Sequence, residues 1–259
     1  MTRTRPQAFR TVLILLVSSL LVVLVTWFVP ALSAASINIL FRLRGALRPP
    51  ANIVIVAIDD RSLQTVGQRH GAWPWPRSVM AAALDKLTEA GPRAIGLDVI
   101  YAEASTPEED RRLAEALVRN GRVILPAQLY ETAVNGLPNT AWLRPLPEFA
   151  AAAGAVGHAH ISPEVDGMVR SLQLSKANDR GERLWAFSLE VLRVAEAIPV
   201  TEIEEQAGAL RVGPYRIPVR DEKPSALPAG VTLIRQNETL MNFAGPAGNK
   251  RHAKAAFVN

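Results

Sequence analysis

The chain has 259 residues, no cysteine and a formal net charge of +5. The lack of cysteine excludes disulfides and thiolate metal sites. Setting aside Arg3, Arg5 and Arg10 of the N-terminal tail leaves 26 basic against 24 acidic residues, scattered without a basic aromatic stripe, which argues against nucleic-acid binding.

From Thr11 to Phe41 the run TVLILLVSSLLVVLVTWFVPALSAASINILF carries no charge. A helix needs about 20 apolar residues to cross a bilayer, so residues 11–41 are expected to hold a single transmembrane helix, after a tail over 1–10. Trp27 and Phe28 sit where interfacial aromatics are useful. Two other readings compete with this anchor. Ala31-Leu32-Ser33-Ala34-Ala35 offers a signal-peptidase site, although the core from Val12 to Val29 is long for a cleaved signal. A buried globular helix is the other, and it rarely runs this far without a charge. Arg42, Arg44 and Arg48 balance the three arginines before the run, so charge alone sets no orientation.

After the span, Ile53-Val54-Ile55-Val56-Ala57-Ile58 reads as a strand buried on both faces, ending at Asp59-Asp60. A loop with glycine and tryptophan follows, and Pro76 opens a helix with Val79, Met80, Ala83, Leu84 and Leu87 on one side. Gly91-Pro92 stops it. Residues 94–100 are the next strand. Thr106-Pro107-Glu108-Glu109 is a helix start with an N-cap threonine, a first-turn proline and a capping-box glutamate. Asn120-Gly121 ends that helix, and residues 122–125 form a third strand. This βαβαβ order predicts an α/β fold with a mostly parallel sheet.

Beyond it the pattern changes. Residues 130–147 read as loop, and 155–161 and 168–174 as two strands joined by a turn around Pro163–Gly167. Residues 185–197 read as an amphipathic helix, and 210–219 as a hairpin broken at Gly213-Pro214. Leu240-Met241-Asn242-Phe243 looks like a final strand, and Lys250, Arg251, His252 and Lys254 make a basic end. The sheet is thus continued by mixed or antiparallel strands.

At this point the residues resemble a known family. Ile55–Leu63 with its Asp59-Asp60 pair, Trp73-Pro74-Trp75-Pro76-Arg77 and Gly96-Leu97-Asp98-Val99 are similar to motifs of the type 2 CHASE domain. This is the cyclase/histidine-kinase-associated sensory extracellular module. Gly157-His158, Asp166-Gly167-Met168-Val169-Arg170, Ser188-Leu189-Glu190 and Asn242-Phe243-Ala244-Gly245-Pro246 continue the series in order. The resemblance covers nearly the whole body. It implies a bacterial inner-membrane receptor with a cytoplasmic N-terminus and a periplasmic sensory domain over 50–246. A basic end over 247–259 would precede further spans. The implied output is an adenylate or guanylate cyclase, else a histidine kinase, diguanylate cyclase or Ser/Thr kinase. That output lies outside this sequence, so no catalysis is expected of the chain itself. The resemblance further implies a homodimeric receptor for an unidentified extracytoplasmic ligand or protein.

Six residues are candidate ligand contacts: Asp59, Asp60, Trp73, Trp75, Arg77 and Asp98. Ligands of open parallel sheets bind beyond the carboxyl ends of strands, where the three acids are expected to gather. Clustered carboxylates attract a cation or an amine. Two tryptophans held between prolines can wall a ligand or close the core. Arg77 at a helix start is expected to bind a carboxylate bidentately, Asp59 or Asp98. The plainer reading makes the acids loop caps and the tryptophans packing. His158 and His160 alternate on a strand and would need Glu164 or Asp166 to hold zinc, so they read as structural histidines. No metal and no cofactor are expected. Two alternatives from other classes are an exported metal-dependent hydrolase using Asp59, Asp60 and Asp98, and a secreted binding protein.

Overall fold

The structure, a computed structural model, describes residues 5–47, 52–134, 137–163, 166–219, 237–241 and 254–256. It divides into two units. The first holds helix α1 (Arg5–Arg44) and strand β1 (Ile55–Ala57), paired in parallel with residues 254–256. In α1 the side chains of 12–25 and 36–44 are described, and those of 12–25 are all exposed. Among the described residues no helix is long and apolar enough to cross a membrane. The side chains of Trp27, Phe28 and the Ala31–Ala35 segment, and the basic residues Lys250, Arg251 and His252, fall outside what is described.

The second unit runs from Ile58 to Met241. It begins with α2 (Asp60–His70), in place of the expected loop. The loop with Trp73 and Trp75 then leads to α3 (Arg77–Glu89) and the short strand β2 (Ile95–Gly96). Helix α4 (Pro107–Asn120) starts at the expected place. The Thr106 hydroxyl accepts the Glu109 amide, Pro107 takes the first turn, and Gly121 at φ 67 closes the end in the left-handed region. Glu109, however, closes no capping box. Its carboxylate accepts the Ser78 amide of α3 at 2.7 Å. Pro76 caps α3 without a side-chain acceptor, so the orphan amide takes one from the neighbouring helix.

Strand β3 (Val123–Val134) is the spine. From Val123 to Ala127 it is buried on both faces, as a central parallel strand must be. β2 pairs with it in parallel on one side, and β5 (Ala155–His158) does so on the other. The expected loop over 130–147 is instead the far half of β3, turned back on β4 (Leu137–Leu143) in an antiparallel hairpin. Pro138 and Asn139 suggested loop, but an edge strand such as β4 tolerates those residues. The parallel set is therefore β2–β3–β5. β1 is hydrogen-bonded to 254–256, so the first strand of the expected βαβαβ sheet is not part of that set.

A six-residue helix α5 (Pro147–Ala152) precedes β5. Met80, Ala81, Leu84, Leu113, Ala116, Leu117, Val123, Leu125 and Phe149 form the main core between the helices and β3. Arg119 clamps Asp85 with two hydrogen bonds of 2.9 Å, and Asn120 donates to the Thr88 hydroxyl at 2.7 Å, which fixes α4 on α3.

The remaining elements are β6 (Ser171–Gln173), the hairpin β7 (Ser175–Ala177)–β8 (Arg183–Trp185), and α6 (Phe187–Ala195). After them come the meander β9 (Ile203–Gln206)–β10 (Ala209–Val212)–β11 (Tyr215–Pro218), β12 (Glu238–Leu240) and β13 (Lys254–Ala256). The expected hairpin at Gly213-Pro214 is β10–β11. β5 and β6 do not pair as expected, because β5 joins β3 and β6 joins β12. Of the expected final strand, Leu240 lies in β12 and Asn242-Phe243 lie outside the described residues.

Two glycines of the quoted motifs have a packing role. A Cβ on Gly157 would lie 2.6 Å from the Phe187 Cα, and one on Gly96 3.0 Å from the Phe187 ring. They let α6 rest directly on the sheet. Gly157→Ala is expected to cost about 1–3 kcal/mol through overpacking against backbone that cannot yield. Thermal unfolding of the purified chain checks it, and an unchanged midpoint would contradict the close approach.

Candidate functional site

Asp59 is the N-cap of α2. Its carboxylate accepts the Ser62 amide and hydroxyl, each at 2.9 Å. Those donors, the backbone amide first, hold its carboxyl below the usual range. Asp60 is the first residue of the same helix, where an acid suits the positive end of the dipole. Both are exposed, as is Asp98 beyond β2. No hydrogen bond or ion pair among the described residues joins these three acids to one another or to Arg77. Their expected gathering requires the strands before them to share a sheet, and β1 and β2 are not neighbours in a sheet.

Arg77 is buried and its partner is Asp110, neither Asp59 nor Asp98. Nη1 stands 2.5 Å from Oδ1 of Asp110, with both side chains about nine-tenths buried. Nη2 donates to the Glu103 carbonyl. The second Asp110 oxygen accepts the Ser105 amide at 3.0 Å. The guanidinium lies 4.9 Å from the Phe149 ring centre and 5.3 Å from that of Tyr101. Burial pushes the Tyr101 phenol up, opposed by Arg77. Arg77 thus ties the start of α3 to the start of α4. A helix begun by Thr106-Pro107 faces its fourth residue, Asp110, inward, and that spacing was the available signal.

Trp75 is buried at 7% exposure, and Trp73 meets it edge-on at 5.1 Å while remaining 43% exposed. Of the six candidates, the structure places Trp75 and Arg77 inside and leaves Asp59, Asp60, Trp73 and Asp98 at the surface. The two tryptophans touch each other.

The histidines form a second group. His158 ends β5, is 1% exposed, and stacks on Trp142 at 6.1 Å. Trp142 is itself held by its indole N–H on the Glu182 carbonyl at 2.8 Å. Neither ring nitrogen of His158 has a hydrogen bond of ordinary geometry. Burial, then the charges of His160 and Lys176, push its pKa down to about 4, against the Gln173 backbone. His160 Nδ1 is 3.0 Å from Gln128 Nε2, and burial lowers its pKa as well. The zinc reading needed Glu164, which is outside the described residues, or Asp166. Asp166 is committed to Arg170 by hydrogen bonds of 3.0 and 2.6 Å, which pull its carboxyl down to about 2. Among the described residues no three His, Asp or Glu side chains could hold a metal.

The fold defines the class: a mixed α/β domain on a short parallel sheet with appended hairpins. The chain belongs to the CHASE2 family, whose profile, the CHASE2 domain, matches residues 12–258. CHASE2 domains are extracellular sensory domains of signalling proteins. No curated protein and no solved structure matches the chain.

Proposed function

We propose that this chain is the membrane-anchored sensory part of a bacterial receptor. In this reading α1 crosses the inner membrane once and the body from about residue 50 lies in the periplasm. The observation that carries the reading is α1. Its side chains from Val12 to Leu24 include eleven large apolar residues exposed by 44–64%, a surface that water does not suit and lipid does. The described face is shorter than a span, but the uncharged sequence continues to Phe41.

The receptor acts as a homodimer and biases a cytoplasmic output, a nucleotide cyclase before a kinase, by shifting a conformational equilibrium. Asp60, Trp73 and Asp98 are the proposed contacts for an extracytoplasmic ligand or protein. Asp59, Trp75 and Arg77 position them.

The chain has no cysteine, so one introduced thiol reports topology cleanly. With Arg180→Cys, at an exposed turn, a membrane-impermeant maleimide should label cells whose outer envelope is opened but whose inner membrane is intact. Labelling only after lysis of the inner membrane would overturn the periplasmic placement.

A further inference from the structure

His158 stands where two hairpins meet. It is in register with Ala127 of β3, its backbone bridges to Ala186 just past β8, and its ring stacks on Trp142 of β4. Ala127, Leu129 and Trp142 form a small cluster with Val156 and Leu184, apart from the main core. Around it, the turn of β7–β8 is tied to β4 by polar links. The Thr140 amide donates to the Asp179 carboxylate at 2.6 Å, and the Asp179 amide donates to the Thr140 hydroxyl at 3.0 Å. The Trp142 indole donates to the Glu182 carbonyl, and Arg144 reaches the Glu182 carboxylate at 3.6 Å in an exposed pair. A contact this small can open without unfolding the rest of the domain.

The His158 ring is the weak point of that contact. It is 1% exposed, and neither nitrogen has a hydrogen bond of ordinary geometry; the Gln173 backbone reaches it only outside that geometry. A neutral imidazole has one N–H to satisfy, whereas an imidazolium has two and a charge. The charged groups acting on the ring are His160 beyond its own strand and Lys176 of β7, and both repel a further positive charge. β3 and β4 face it with Ala127 and Trp142, neither of them titratable, and Glu131 of β3 acts on His160 instead. At 6.1 Å, Trp142 lies at the limit of cation–π reach. An unpaired charge in this position is relieved by exposing the ring to water. We propose that protonation of His158 parts the β3–β4 and β7–β8 hairpins, which makes the domain an acid-responsive switch. With the ring neutral, Trp142 seats on it and the Thr140–Asp179 pair stays closed. With the ring charged, the stack parts and both ring N–H groups find water. The role of acidity as the stimulus rests on the sensory reading above. The opening itself does not.

The test uses the whole chain in detergent, where the absence of cysteine allows clean labelling. Spin labels at Arg144→Cys and Arg180→Cys report the two hairpins, and labels at Lys86→Cys and Val118→Cys report α3 against α4, all four at exposed sites. As pH falls from about 7 to about 4, the first pair should gain a longer-distance population while the second stays fixed. His158→Phe keeps a ring on Trp142 and cannot be protonated, so its first pair should stay short throughout. Lys176→Met removes a repelling charge, so opening should begin at higher pH. Absence of the longer population, lengthening of both pairs together, or the same opening in His158→Phe overturns the switch. Should His158→Phe not fold, an unmoved opening pH in Lys176→Met overturns it. The distances are read on purified protein, so failure here leaves the topology result untouched.

Discussion

Arg77→Met is expected to destabilise the domain by about 3–5 kcal/mol, the cost of leaving a buried charge without its partner. The Arg77–Asp110 pair is about nine-tenths buried on both sides, so solvent screening gives little relief. Removing the guanidinium strands the Asp110 carboxylate beside the Ser105 amide alone, and it removes the cation between Tyr101 and Phe149. Adding Asp110→Asn to Arg77→Met should recover part of the loss, because the orphaned charge goes while an acceptor for Ser105 stays. Denaturant unfolding of the three variants decides it. Unchanged stability in Arg77→Met would mean that the pair is not the link between α3 and α4.

Acid should weaken the domain through His158. The ring titrates near 6.5 when unfolded, and its pKa is pushed down to about 4 in the fold, so the unfolded chain binds the proton more readily. The contribution of the neutral buried ring is complete above about pH 6.5 and is lost progressively as pH falls towards 4. That lowering corresponds to about 3 kcal/mol. His160 and Lys176 reinforce the effect by repelling the added proton, and the Gln173 backbone opposes it. His158→Phe keeps a ring against Trp142 and cannot titrate. Its stability relative to the unaltered protein should therefore rise as pH falls from 6.5 to 4. A constant difference across that interval would show that His158 does not drive the acid response.

Several elements were legible because their signals are local. Thr106-Pro107 and Gly121 delimit α4 by capping geometry alone, Gly91-Pro92 lies just past α3, and Gly213-Pro214 turns β10 into β11. The missed elements carried mixed signals. α2 is polar, and its strongest marker, Asp59 capping Ser62, fits an acid cluster equally well in sequence. The β3–β4 hairpin was hidden by Pro138, Asn139 and Asn135-Gly136.

The sequence by itself determined the uncharged run from Thr11 to Phe41, the family and the helix boundaries set by caps. Each follows from hydrophobicity or from hydrogen bonds within a few residues. The burial expected for both faces of Ile53–Ile58 does not hold, since Ile53, Val54 and Ile55 are exposed. Only the tertiary structure decided which strand pairs with which and which carboxylate meets Arg77. Asp59, Asp98 and Asp110 are chemically equivalent in sequence. The choice of Asp110 arises because α4 packs on α3, 33 positions along the chain: the Thr106-Pro107 start turns Asp110 inward, but nothing local says which cation it meets. Glu109 likewise serves the Ser78 amide of the neighbouring helix instead of its own.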